Sequence, residues 1–358
     1  MRLLYATSTT YPSPLANRVQ ILEMAKAFRE LLGDDFLLGI GRNKGEPFPL
    51  PVVEVGANVR SYKLAWKYLQ IAREKEITHI FCREEKLLFF MWLYKLIMPR
   101  RFPEKLAFEI HHLDHEREVW FQILIQHIPH IVSITNGTKE MLAARGIPPE
   151  RISVEPDAVN AEEFDIPDTK LEVRSKLGLP LDKTIVMYTG ALDPWKGVNV
   201  LYHAAELLPE RFQVVTVGAR QSHVIEFNQL YPPRPNFTTI GHVAHSQIPL
   251  YMRAADVMVI PNSGKTDISR HHTSPMKLFE YMAAKKPIVA SDLPSIREIA
   301  DETKAYMFEP DNAESLAEAI VKAAEDEAGA HQRVQVARSF VERFTWIGRA
   351  RRIISFMS

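Results

Sequence analysis

The run Thr273-Ser274-Pro275-Met276-Lys277-Leu278-Phe279-Glu280 sets a cation and a carboxylate three residues apart at the start of an amphipathic segment. Thr273 or Ser274 is expected to cap a helix that Pro275 opens, because a proline at the first helical position gives up no needed N–H. Leu278, Phe279, Tyr281 and Met282 supply a buried face, and Pro287 lies past the helix end. A helix N-terminus of this kind presents free N–H groups and a positive dipole end, which suits phosphate. A carboxylate at Glu280, about a turn and a half in, could accept two hydroxyl hydrogen bonds, as from a ribose. Taken alone, the run is also what an ordinary amphipathic helix with a surface glutamate looks like.

Three further stretches carry reactive groups. Thr189-Gly190-Ala191-Leu192-Asp193-Pro194-Trp195-Lys196-Gly197 follows an apolar strand pattern. It is no Walker A loop, since the second glycine and the Lys-Ser/Thr pair are missing. Glu109-Ile110-His111-His112-Leu113-Asp114-His115-Glu116 gathers three histidines with acidic neighbours, but without the spacing of a structural zinc site. Ser8 to Arg18 is a polar, proline-bearing loop, and Asn17 could equally cap the helix after it.

The elements that must position these groups alternate. Strands are expected over Leu3–Thr7, Phe36–Ile40, Val52–Val55, Ile77–Phe81, Leu106–Ile110, Ile131–Ile134 and Ile152–Val154. Helices are expected from Val19 to Leu32, Tyr62 to Glu74, Leu87 to Ile97, and over Thr138–Ala144 with Asn136 as cap. The second half repeats the alternation through strands at Thr184–Tyr188, Phe212–Val217, Thr238–Ile240, Ala255–Pro261 and Ile288–Ala290. Alternating strands and helices imply right-handed crossovers and parallel sheets, with ligands beyond the carboxyl ends of the strands. Asp256 is expected to be structural, and Asn262 to His272 to form a mobile polar loop. The acidic, proline-bearing stretch from Glu155 to Asp168 marks a domain junction. Helices over Ala313–Asp326 and Gln332–Glu342 precede a basic segment, Arg349 to Phe356, expected to be a solvated helix face that could also touch an anionic membrane.

Composition sets the bounds. The chain has 358 residues, comfortable for two domains, with 44 basic and 44 acidic side chains, which gives no argument for nucleic acid. One cysteine, Cys82, rules out an internal disulfide and agrees with a reducing cytosol. Met1 to Thr7 reads as a strand start and not a signal peptide, and the longest apolar run, Leu87 to Met98, is interrupted by Lys95 and short of a membrane span. The expectation is a soluble or peripheral cytoplasmic protein.

The run SPMKLFEYMAAKKPIVASDLPSIREI resembles the donor-site segment of the GT4 family of retaining, nucleotide-sugar-dependent glycosyltransferases with the GT-B fold. That resemblance implies an α/β chain of two Rossmann-like parallel-sheet domains facing across a cleft. It places an acceptor-side domain at residues 1–160, a nucleotide-sugar-binding domain at 161–335, and a tail at 336–358 that returns to the first domain. It implies that the terminus at Ser274, Pro275, Met276 and Lys277 holds the donor diphosphate and that Glu280 holds the ribose. The loop Gly190, Ala191 to Lys196 resembles the family's phosphate loop, with Lys196 as the diphosphate cation. The family's usual arginine after the glycine is Ala191 here, a loss that Lys277 or Arg18 could offset. His242 and Val243 are placed beside the nucleobase. Glu109-Ile110-His111 resembles the segment whose histidine reaches the sugar, so His111 joins Lys196 and Glu280 as catalytic residues. Ala16, Asn17 and Arg18 are assigned to an acceptor or phosphate loop. His272 stands where the family usually carries a second glutamate near the sugar. No Asp-x-Asp cluster is present, and no metal or resident cofactor is expected. The expected partners are a UDP- or GDP-linked sugar and a glycan, lipid-linked or small-molecule acceptor, as in polysaccharide biosynthesis. Two alternatives are a sugar-nucleotide epimerase on the same fold, with His111, His271 and His272 as acid–base groups, and a non-catalytic nucleotide-sugar-binding protein.

Overall fold

The computed structural model describes all residues except 12–15, 46, 47, 49, 100–102, 104, 112, 114 and 116. It divides into two compact units. Unit 1 is Met1–Pro156 with Trp346–Ser358, and unit 2 is Asp157–Thr345. The junction therefore falls between Pro156 and Asp157, and the segment grouped with the first unit starts at Trp346 rather than at residue 336.

Unit 1 is built on a parallel sheet of seven strands in the order Val52–Glu54, Phe36–Ile40, Leu3–Ala6, His79–Cys82, Lys105–Ile110, His130–Ser133 and Ile152–Val154. The strands are short runs of apolar residues because helices cover the sheet, and Leu4, Ile80, Phe108 and Ile131 are fully enclosed. The helix Ala16–Leu32 starts earlier than its periodicity suggests, so Ala16, Asn17 and Arg18 lie in its first turn and not in a loop. Thr135, not Asn136, caps the helix Asn136–Ala144: its hydroxyl accepts from the Thr138 N–H.

Unit 2 has six parallel strands in the order Phe237–Gly241, Phe212–Ala219, Thr184–Thr189, Val257–Ile260, Ile288–Ser291 and Tyr306–Phe308. Chain order reverses between Thr184–Thr189 and Val257–Ile260, which is the topological switch point where a doubly wound sheet opens a crevice. Apolar clusters pack on the sheet, one including Leu278, Phe279 and Met282 and the other Leu201, Phe212 and Leu316.

Asp256 has the structural role expected of it. It accepts from Arg174 and Lys170 at 2.5 Å each and from the Ile185 N–H at 2.7 Å. Burial would raise its pKa, but these donors hold it below the usual carboxylate range. The stretch 262–272 is more ordered in structure than its polarity suggests. It contains the helix Asp267–His271, and Ser269 and His272 are buried. The last helix of unit 2 runs Glu327–Val341, starting five residues ahead of the expected Gln332.

The helix Trp346–Met357 is not a uniformly solvated basic face. Arg349 is fully buried and pairs with fully buried Glu109 at 2.6 Å. Its Nε also donates to the Pro156 carbonyl at 2.9 Å. Arg352 pairs with Glu155 at 2.7 Å.

Candidate active site

The crevice of unit 2 opens at the end of the strand Thr184–Thr189. Gly190 there has φ +134°, a backbone only glycine adopts readily, and a Cβ on it would meet Lys277 Nζ and Tyr188 Oη at 3.2 Å. The chain continues through Ala191 to Lys196, and Gly197 at φ +68° packs so closely on the Pro261 carbonyl that no side chain fits. Trp195 accepts a hydrogen bond from the Ser263 N–H at 2.9 Å. The loops after the two strands that flank the switch point are thus tied together.

The helix Met276–Ala283 supplies the second wall. Pro275 occupies its cap position and no side chain caps it. The expected cap hydroxyls are engaged elsewhere: Ser274 Oγ accepts from the Asp157 N–H at 3.2 Å, and Thr273 Oγ1 donates to the Ile268 carbonyl at 2.6 Å. The terminus therefore keeps the uncapped character that an anion site needs. Tyr281 locks helix to strand, its hydroxyl oxygen accepting from the Thr189 N–H at 2.8 Å.

Two lysines converge here. Lys277 Nζ donates to Tyr188 Oη at 2.9 Å and lies 4.1 Å from the centre of that ring. Tyr188 Oη in turn donates to the Ala191 carbonyl at 2.7 Å. Lys196 Nζ lies 4.3 Å from the centre of the Trp195 ring. Burial lowers the pKa of Lys277 well below that of a free lysine, the Lys196 charge lowers it further, and Glu280 and Asp193 act against both. Burial likewise lowers Lys196, opposed by Asp193. A bound anion at this place would favour the charged form of both lysines, which burial disfavours.

Glu280 is buried, and its Oε1 lies 3.1 Å from His245 Nε2. His245 stands in the short turn His245–Gln247, just past His242 and Val243. Of that pair, His242 is exposed and Val243 packs on the core of unit 2. Sequence reasoning missed His245, Tyr188 and Tyr281. The signal for the two tyrosines was available, because a tyrosine at a strand end or on a buried helix face needs a partner for its hydroxyl. His245 gave no such signal, its contact depending on a residue 35 positions away.

His272 is buried, directly before the Thr273-Ser274-Pro275 lead-in, and its ring lies 6.4 Å from that of His271.

In unit 1, His111 follows the strand Lys105–Ile110, and its Nε2 lies 3.5 Å from Glu109 Oε1. Burial and the Arg83 guanidinium push its pKa down to about 4, so the ring is neutral near pH 7, with one N–H donor and one acceptor nitrogen. Arg18 belongs to this unit and donates to Thr9 Oγ1. The side chains of Ala16 and Asn17, and His112, lie outside the described residues.

Residues 169–340 match the family model described as glycosyl transferases group 1. That span covers most of unit 2 and includes Lys196, His245, Lys277 and Glu280. Among curated relatives, TuaC of Bacillus subtilis (strain 168), provisionally named a glycosyltransferase of teichuronic acid biosynthesis, is 29% identical over 160 residues, 43% of this chain and 36% of that protein. The D-inositol 3-phosphate glycosyltransferase of Xylanimonas cellulosilytica is 24% identical over 228 residues, 60% of this chain and 53% of that protein. The chain thus spans about half or less of the length of these two relatives. Among solved structures, Anabaena HepE in complex with UDP superposes with a TM-score of 0.82 at 19% identity, covering 99% of each chain. Sucrose-phosphate synthase of Thermosynechococcus elongatus gives 0.78 at 17%, covering 99% of this chain and 96% of that one. At such identities the likeness is one of fold: two Rossmann-like units, the architecture of GT-B glycosyltransferases.

Proposed function

We propose that this protein is a retaining glycosyltransferase of the GT4 type, moving a sugar from a nucleotide diphosphate-sugar to a glycan, lipid-linked or small-molecule acceptor without a divalent metal. The observation that carries this reading is the meeting of Lys196 and Lys277 beside the Gly190 loop, at the uncapped start of the helix that bears Glu280. In this reading the two ammonium groups and the helix terminus take the diphosphate. They hold the charge that grows on it as the glycosidic bond breaks, an electrostatic role of the oxyanion-hole kind. Lys277 supplies the cation that Ala191 does not. Glu280 accepts from the ribose hydroxyls, and His245 steadies its Oε1. Gly190, Ala191, Ser274, Pro275 and Met276 shape the phosphate pocket, and His242 and Val243 flank the base. Neutral His111 is the hydrogen-bond partner of a sugar hydroxyl. The anomeric configuration is kept, with the leaving phosphate taking the acceptor's proton.

The matched family and the relatives' names support sugar transfer, and the UDP complex of HepE makes UDP the first nucleotide to try. Melting curves against UDP, GDP, ADP and dTDP, each with and without EDTA, test the donor site. One nucleotide is expected to raise the melting temperature, EDTA is expected to leave the shift unchanged, and Glu280→Ala is expected to lose it. Absence of any shift at high concentration would sink the assignment. Removing one hydrogen bond to the carboxylate is worth about 1 kcal/mol, so His245→Ala should weaken that nucleotide by at most roughly fivefold in calorimetry. One observation favours a second reading, donor binding without turnover: buried His272 and Ala191 replace polar groups usual in the GT4 pattern. Product analysis with candidate acceptors separates the two.

A further inference from the structure

Glu109 and Arg349 of unit 1 are fully enclosed charges that the donor-site chemistry does not use. The reactive group beside them is His111. Residues two apart on an extended chain point to the same face, so Glu109 in the strand Lys105–Ile110 and His111 just past it share one side. Glu109 Oε1 lies 2.6 Å from Arg349 Nη2 and 3.5 Å from His111 Nε2, so a single oxygen faces both.

The carboxylate is fixed in place from both ends. Arg349 is itself held, its Nε donating to the Pro156 carbonyl at 2.9 Å and its Nη2 to the Glu155 carbonyl at 3.1 Å. At the other end Glu109 Oε2 stands 3.5 Å from Tyr5 Oη, and the Tyr5 ring packs on Phe81 at 5.1 Å and on Phe28 at 6.1 Å between ring centres. The imidazole beside this carboxylate has two unlike nitrogens. Nε2 is enclosed and faces Glu109, whereas Nδ1 makes no hydrogen bond to a described residue. The His111 side chain keeps 17% of its surface open, and with Nε2 enclosed that opening lies elsewhere on the side chain.

A neutral imidazole carries one N–H, and its surroundings decide which nitrogen keeps it. A carboxylate facing Nε2 favours the proton there, which leaves the Nδ1 lone pair as the acceptor. A carboxylate behind a histidine ordinarily has two effects: it fixes the tautomer, and it stabilises the charged ring so that the histidine can act as a base. Here the second effect is cancelled. Burial disfavours the imidazolium, the Arg83 guanidinium opposes it, and Arg349 offsets part of the support that Glu109 gives. The carboxylate therefore orients the ring without making it basic.

We propose that Glu109, held by Arg349, is a positioning residue that keeps His111 in the Nε2–H tautomer, so that Nδ1 accepts a hydrogen bond from a substrate hydroxyl and does not serve as a general base. This rests on the reading of His111 as the partner of a sugar hydroxyl, and it gives that contact a direction: the hydroxyl donates. A sugar whose hydroxyl at that place is removed or methylated loses the contact. His111 also takes no proton from the acceptor, which leaves that proton to the departing phosphate.

Nitrogen-15 spectra of the full chain labelled at histidine, with the His111 signals assigned from His111→Asn, read the tautomer directly and need no substrate. The parent protein is expected to show a neutral His111 near pH 7 with its proton on Nε2. In Glu109→Met/Arg349→Met, which strands no charge, the two ring-nitrogen signals should move toward each other as the tautomers mix. Should that variant not fold, Glu109→Gln, which keeps the shape and removes the charge, should show the same mixing to a lesser extent. A proton on Nδ1 in the parent, a charged ring near pH 7, or an unchanged tautomer in a folded variant overturns the proposal. Calorimetry tests the substrate contact. The double variant should bind the nucleotide-sugar roughly fivefold more weakly than the parent, the effect of one hydrogen bond. Its affinity for the free nucleoside diphosphate should be unchanged, because the groups assigned to that ligand lie in unit 2. An equal loss for both ligands, or none for either, removes the sugar contact from Nδ1. If no nucleotide binds even the parent protein, the donor-site reading fails and the sugar contact with it, while the spectra still decide whether Glu109 sets the tautomer.

Discussion

Lys196→Ala is expected to cut sugar transfer by about 10²–10³-fold, the usual effect of removing one preorganised group that stabilises charge in a transition state. Lys277→Ala should weaken binding of the nucleoside diphosphate by roughly ten- to a hundredfold, because a charge-assisted hydrogen bond is worth about 1.5–3 kcal/mol. The two effects differ in kind. Lys277 is anchored on Tyr188 and lies at the helix start, and it is therefore proposed to meet the anion in the ground state. Lys196 sits on the loop that follows the Gly190 turn, held over Trp195, and is assigned to the charge that develops on departure. Steady-state kinetics should therefore show a fall in kcat for Lys196→Ala and chiefly a rise in KM for Lys277→Ala. Equal and small effects from both would remove the lysine pair from the mechanism. The pH dependence has a definite sign. In the free protein the Lys277 pKa is depressed by burial and by Lys196, and a bound dianion would raise it again. Binding then takes up protons at pH values above the free pKa, so nucleotide affinity should fall as pH rises through the range between the free and bound values. Lys277→Ala should flatten that dependence.

Arg349→Ala is expected to destabilise unit 1 by about 3–5 kcal/mol, the penalty for breaking a buried ion pair from one side. Glu109 and Arg349 are both fully enclosed, and Tyr5 Oη and His111 Nε2 stand farther from the carboxylate, at 3.5 Å each. Burial pushes the Glu109 pKa up, and Arg349, with His111 and Arg83, more than offsets it and holds it well below the usual carboxylate value. A depressed carboxylate contributes stability that is present above the unfolded-state pKa and lost as pH falls through the folded one. In Arg349→Ala burial dominates, so the Glu109 pKa should rise, and the deficit against the parent protein should shrink as pH is lowered. Urea unfolding of both proteins across acidic to neutral pH measures this. A deficit that does not change with pH would mean that lost packing, not the stranded charge, sets the cost. The double variant Arg349→Met/Glu109→Met should be less destabilised than the sum of the single changes, since neither partner is left charged and alone.

The alternation of strands and helices was legible because a parallel strand covered by helices must be a short apolar run and its crossover helix an amphipathic one. Val257–Ile260 and Ile288–Ser291 show this, each fully buried. Boundaries and caps were less legible. Thr273, Ser274 and Asn136 are all competent cap residues by type, yet Thr273 and Ser274 bond elsewhere and Thr135 precedes Asn136 in the role. The polar run 262–272 was expected to be a loop because it lacks apolar periodicity. Its short helix instead packs through Ser269, whose carbonyl accepts from Ser295 Oγ at 2.6 Å.

The sequence by itself determined the two α/β halves, the order of their elements, the glycines at 190 and 197, and the residues able to meet a phosphate and a ribose, because these depend on local pattern and on side-chain type. Only the tertiary structure decided which of them meet. It set Lys277 beside Lys196, brought His245 onto Glu280, and turned Arg349 of a basic helix expected to be solvated into the buried partner of Glu109. Those pairings join positions 35 to 240 residues apart in the chain. The physical reason is that burial and charge pairing depend on which elements the sheet order makes neighbours, and no run of adjacent residues records that order.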